Sequence, residues 1–122
     1  MVEITREDFC VDEVIKKLKQ PKVGAVLVYV GTVREFSEGI GLEFWDDNEA
    51  VQRLQEIEKK TLGKFDIEDV VIMHRVGLLN ITESILMIAI SASHRGPTFD
   101  ACRSIIDDIK NLHKTWGREV RK

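Results

Sequence analysis

An unbroken apolar run, Ser84 to Ala92, passes through Ser93-His94-Arg95 into a segment whose apolar residues recur at helical spacing. The run has the length and character of a strand. The stripe Phe99, Cys102, Ile105, Ile106, Ile109 and Leu112 or His113 predicts an amphipathic helix, starting near Pro97, a residue suited to a first helical turn. A strand that hands a His-Arg pair to a helix start confines the chain to folds mixing sheet and helix. It also gathers cations and free helix-start amides at one spot, which favours a phosphate or carboxylate.

The rest of the chain supplies partners for that unit. Glu3 to Thr5 reads as a short strand, and Asp12 to Gln20 as a helix stopped by Pro21. Val23 to Val33 is a Val-rich strand bounded by Gly24 and Gly31, and Glu35 to Gly41 a polar loop. Leu42 to Trp45 is a further short strand. A long amphipathic helix follows from Asp47, as N-cap, to about Leu62, with Gly63 as its stop. Asp69 to Val76 is another strand, and Gly77 to Glu83 reads as a turn through Asn80 or Thr82. This order mixes hairpins with crossovers and predicts an α+β domain with a largely antiparallel sheet. No repeat or linker divides the chain, so residues 1–122 are expected to form a single domain.

Bulk properties narrow the function. No apolar run approaches the roughly 20 residues of a membrane span, and Met1-Val2-Glu3-Ile4 has no signal-peptide character, so the expected setting is cytoplasmic. The net charge of −3 argues against general nucleic-acid binding. Cations nevertheless outnumber acids from His94 onward, which suits a small anionic ligand. Cys10 and Cys102 are expected as reduced thiols, and His74, His94 and His113 show no ligand spacing with them, so no metal site is expected.

Three positions could carry chemistry. His94 and Arg95 open the last helix. Gly31-Thr32-Val33-Arg34 ends a strand and delivers an arginine into a polar loop, where binding residues concentrate. Lys110 lies on the last helix, seven residues after Arg103 and on its face, and a lysine among cations can serve as proton donor or nucleophile. His74-Arg75-Val76-Gly77 reads as structural, and Trp45 and Trp116 as core or interface anchors.

These segments also occur in a recognisable order: Gly24-Ala25-Val26, Gly31-Thr32-Val33-Arg34, His74-Arg75-Val76-Gly77, Ser93-His94-Arg95, Phe99-x-Ala101-Cys102-Arg103, Asp107-x-x-Lys110 and Trp116-x-x-Glu119. Together they resemble the large, catalytic subunit of molybdopterin synthase, from about Val14 to Glu119. The resemblance implies an α/β hammerhead fold and a homodimeric core, with one ubiquitin-like sulfur-carrier subunit at each end in a heterotetramer. The carrier's C-terminal Gly-Gly thiocarboxylate would enter a pocket and give sulfur to cyclic pyranopterin monophosphate, forming the dithiolene with no metal or other cofactor in this step. Carried over by position, Arg34, His94 and Arg95 match substrate-binding residues and Lys110 a catalytic lysine. Arg118 and Glu119 match the basic and acidic residues that follow the family's tryptophan-lysine pair.

The sequence departs from that pattern at Lys114-Thr115-Trp116-Gly117, where the family has proline, an apolar residue, tryptophan and a second catalytic lysine. Without the proline the last helix is expected to run on through Lys114, one turn past Lys110, so that Lys114, or else Arg118, supplies the missing cation. The chain ends at Lys122, short of the family's longer tail, and Phe44-Trp45-Asp46-Asp47 stands where an acidic-aromatic strand is usual. The competing expectation, carried by Gly117 and the short C-terminus, is a non-catalytic relative that binds a carrier or pterin.

Overall fold

The computed structural model describes all 122 residues. In chain order the elements are β1 (Val2–Thr5), α1 (Val11–Leu18), β2 (Ala25–Thr32), β3 (Gly39–Phe44), α2 (Asn48–Lys64), β4 (Asp69–Arg75), β5 (Gly77–Asn80), β6 (Ser84–Ala92), α3 (Arg95–Leu112) and β7 (Arg118–Arg121). They form a four-stranded sheet in the order β1-β4-β6-β2 and a three-stranded sheet in the order β5-β3-β7. Only β1 and β4 run parallel; every other pair is antiparallel. The fold is the α+β arrangement expected. No helix is long and apolar enough to cross a membrane.

The continuous apolar character of β6 follows from cover on both faces of its sheet. Side chains alternate along a strand. Leu86, Ile88 and Ile90 enter a core with Leu54 and Ile57 of α2 and Ala101, Ile105 and Ile109 of α3. Met87 and Ala89 point the other way, against Val14 and Leu18 of α1. The second sheet joins the larger core through Phe44, Leu79 and Trp116. Where its strands β3 and β5 cross closely, a Cβ on Gly41 would lie 2.2 Å from the Leu79 carbonyl oxygen, so no side chain fits.

Several expectations require correction. Gly77–Asn80 is a strand, not part of a turn; the reversal is confined to the residues around Thr82, whose φ is +81°. The expected loop up to Gly41 yields its last residues to β3. Helix α2 runs through Gly63 to Lys64. The final helix starts two residues before Pro97 and stops at Leu112, with His113 as C-cap. Lys114 therefore lies in a turn, its amide donating to the Asn111 carbonyl at 3.2 Å, and not on the helical face of Lys110. Beyond that turn the chain forms β7, an edge strand paired with β3.

Candidate functional site

A cleft of about 610 Å³ opens where the two sheets meet beside the last turn of α3. Three sequence features build it. The end of β2 contributes Gly31 and Arg34, with Phe36 beyond. A bulge shifts the β2–β6 register between Gly31 and Thr32, which pair with Leu86 and Ser84 and leave Ile85 without a partner; Ile85 lines the cleft too. Helix α3 supplies Lys110, and His113 as its cap; β7 supplies Glu119. The volume suits a small molecule.

Of the residues singled out from sequence, the cleft collects Arg34, Lys110 and Glu119. Arg34 and Lys110 are both exposed, presenting two cations to the space between the sheets. His94 and Arg95 are exposed at the other end of α3. The 15 residues from Arg95 to Lys110 span about 22 Å at the helical rise, so one chain cannot close both groups on a small ligand. The start of α3 has no side-chain cap and no acid in its first turn, so it remains open to an anion.

Two expected cations lie elsewhere. Lys114 is exposed on the turn after α3, and Arg118 donates from Nε to Glu43 Oε1 at 2.9 Å on the outer surface of the small sheet. Neither lines the cleft. Arg103, expected as company for Lys110, instead faces a shallower hollow of about 360 Å³ formed with Leu27, Phe99, Cys102 and Ile106. Phe99, placed on the helix's apolar stripe, is 54% exposed beside that hollow. Burial pushes the Cys102 thiol up, which keeps it protonated and unreactive. No cluster of His, Cys, Asp and Glu side chains is arranged to hold a metal ion.

The cleft also contains a feature the sequence does not announce. His74 is fully buried on β4, and its Nδ1 lies 2.7 Å from the Arg75 carbonyl oxygen. Its Nε2 lies 2.8 Å from Nε2 of His113, which lines the cleft. Trp116 covers His74 with ring centroids 4.3 Å apart, and its indole N–H donates to the Trp45 carbonyl at 2.8 Å. Phe44 packs edge-on against both His74 and Trp116. Burial, then the neighbouring His113, lowers the His74 pKa from about 6.5 to about 3. Burial lowers that of His113 to about 4. Both rings are neutral near pH 7.

Comparison with known proteins gives a consistent picture. Residues 4–112 match the family model described as MoaE protein. The molybdopterin synthase catalytic subunit of Thermoplasma volcanium is 32% identical over 123 aligned residues, covering 98% of this chain and 90% of the relative. The crystal structure of molybdopterin synthase from Staphylococcus aureus superposes with a TM-score of 0.85 at 27% identity, over 98% of this chain and 90% of that one. The complex of subunits 1 and 2 of molybdopterin-converting factor from Helicobacter pylori 26695 shares the fold, with a TM-score of 0.71 at 19% identity, over 89% of this chain and 77% of that one.

Proposed function

This chain belongs to the MoaE protein family, and from that premise we propose that it acts as the catalytic subunit of molybdopterin synthase, its residues 1–122 forming one domain. It takes sulfur from the C-terminal thiocarboxylate of a small ubiquitin-like carrier and gives it to cyclic pyranopterin monophosphate, forming the dithiolene. The observation that carries this reading is the meeting of Arg34 and Lys110 in one cleft at the junction of the sheets.

The chemistry suits such a cleft. An arginine fork matches a phosphate or carboxylate, so Arg34 anchors the anionic ligand. Lys110 stands in the catalytic role, offering an ammonium to the charge that develops as sulfur is transferred, or a proton to the product. Glu119 and Glu35 share the lining, and Glu119 accepts from Arg121 at 2.8 Å.

His94 and Arg95 enter this reading through a second copy of the chain. They are about 22 Å from Lys110 along α3 and cannot reach its cleft from the same chain. A homodimer that covers the exposed Phe99 and the free edge of β2 lets the start of one α3 approach the partner's cleft. Lys114 and Arg118, which lie outside the cleft lining, take no catalytic part in this reading.

Reconstitution tests the proposal. The chain, a thiocarboxylated carrier and cyclic pyranopterin monophosphate should yield dithiolene, and Lys110→Ala should lower turnover by about 100-fold or more with the carrier still bound. Lys114→Ala should change turnover less than about threefold, as expected of a solvated turn residue. A wild-type chain that binds carrier and makes no dithiolene would leave the binding-module reading in its place.

A further inference from the structure

The histidine pair fixes the position of every exchangeable proton along it. A carbonyl oxygen can only accept, so His74 carries its proton on Nδ1 and donates to Arg75. A neutral His74 then presents a bare Nε2, and the 2.8 Å contact is a bond donated by Nε2–H of His113. The remaining nitrogen of His113, Nδ1, is left without a proton. It has no partner within the chain and it is not sealed from solvent, since no buried side-chain nitrogen or oxygen lacks a partner. His113 lines the cleft one helical turn from Lys110.

We propose that His113 is the cleft's fixed hydrogen-bond acceptor, its Nδ1 lone pair receiving an N–H or O–H donor of the bound ligand, with the buried His74 as the positioning residue that sets its tautomer. The identity of that ligand rests on the sulfur-transfer reading; the tautomer does not. Arg34 and Lys110 offer donors only, and the carboxylates of Glu35 and Glu119 bring negative charge near an anionic ligand. A neutral acceptor among them reads a heterocycle's N–H or a hydroxyl without repelling its phosphate. The titratable groups around His113 are His74 from β4, Lys110 on its own helix and Arg34 from the loop after β2, and burial of the ring is what disfavours its charged form. Phe44 from β3 and Trp116 exclude water, and Glu119 from β7 and Glu35 are the opposing acids. Burial holds the ring's pKa near 4, which agrees with this arrangement.

Long-range nitrogen–proton NMR of histidine-labelled wild-type protein at pH 7 reads the tautomers directly. His113 should show a protonated Nε2 and a bare Nδ1, and His74 the reverse. A proton on Nδ1 of His113, or a mixture of its two forms, would overturn the proposal whatever any variant does. In the reconstituted complex, His113→Phe should raise KM for cyclic pyranopterin monophosphate by about tenfold while kcat changes less than about twofold. His113→Asn, whose Oδ1 can stand where Nδ1 stood, should recover much of that loss. His74→Phe should mix the His113 tautomers and raise KM in parallel. An unchanged KM in His113→Phe contradicts the proposal. A wild-type complex that makes no dithiolene counts against the sulfur-transfer reading instead, and the spectra still decide the pair.

Discussion

Gly117 holds φ at +99°, and a Cβ there would lie 2.6 Å from two ring carbons of Phe44 and 3.1 Å from the Glu43 carbonyl oxygen. Phe44 is buried between His74 and Trp116 and has little room to yield. The absence of a lysine at this position therefore has a local steric cause. Gly117→Lys should destabilise the fold by about 1–3 kcal/mol in urea unfolding and so cannot simply restore a second cation; an unchanged midpoint would remove this explanation. The histidine pair has its own signature at the same scale. In the unfolded chain both rings bind a proton near the ordinary 6.5, whereas the folded chain resists until about 4 for His113 and about 3 for His74. The unfolded state thus holds more protons as pH falls, so this stability is full above about 6.5 and lost in acid. Between about pH 6.5 and 5 the unfolding free energy should fall, with a slope approaching ~1.4 kcal/mol per pH unit for each ring. His113→Phe should reduce the slope. A flat profile in wild type over that range would contradict the buried, neutral pair.

At the scale of elements, a good part of the fold is written locally. Asp47 was readable as an N-cap from its place before an amphipathic stretch, and its carboxylate accepts from the Glu49 amide at 2.9 Å. Asp47→Ala should cost about 1 kcal/mol, measured as a shift in unfolding midpoint; no shift would mean that α2 is held by packing alone. The β6 run and the α3 stripe were equally legible, because burial of their faces is what makes their patterns. The errors have physical causes. Strand β7, Arg118-Glu119-Val120-Arg121, is a solvent-facing edge whose order comes from pairing with β3, 75 residues away at Glu43↔Arg118, so its own composition gives no strand signal. Helix α3 ends at Leu112 without the proline that would have announced it. Its cap, His113, bonds to His74 across 39 residues. Local sequence shows Lys110 and Arg34 as candidates. The meeting of those residues, and the His74–His113 contact behind them, is a property of the sheet junction alone.

At the scale of the molecule, the proposed function divides the cationic site between two chains. Arg34, Lys110 and Glu119 gather at one end of α3, while His94 and Arg95 stand at the other, about 22 Å away. In the proposed two-fold dimer, a contact between the start of one α3 and the partner's cleft occurs twice, since an isologous contact repeats every residue pair in reverse. The hollow beside the exposed Phe99, with β2 as one edge of its sheet, is the face proposed for such a contact. Complementation tests this most directly. Lys110→Ala and Arg95→Ala chains, each inactive alone, are unfolded together, refolded as mixed dimers and assayed for dithiolene with thiocarboxylated carrier. Random pairing makes about half the dimers mixed, each with one intact site, so the mixture should regain about a quarter of wild-type activity. A mixture as inactive as its parents, with mixed dimers shown to form, would place Arg95 and Lys110 in the same chain's chemistry and contradict the shared site.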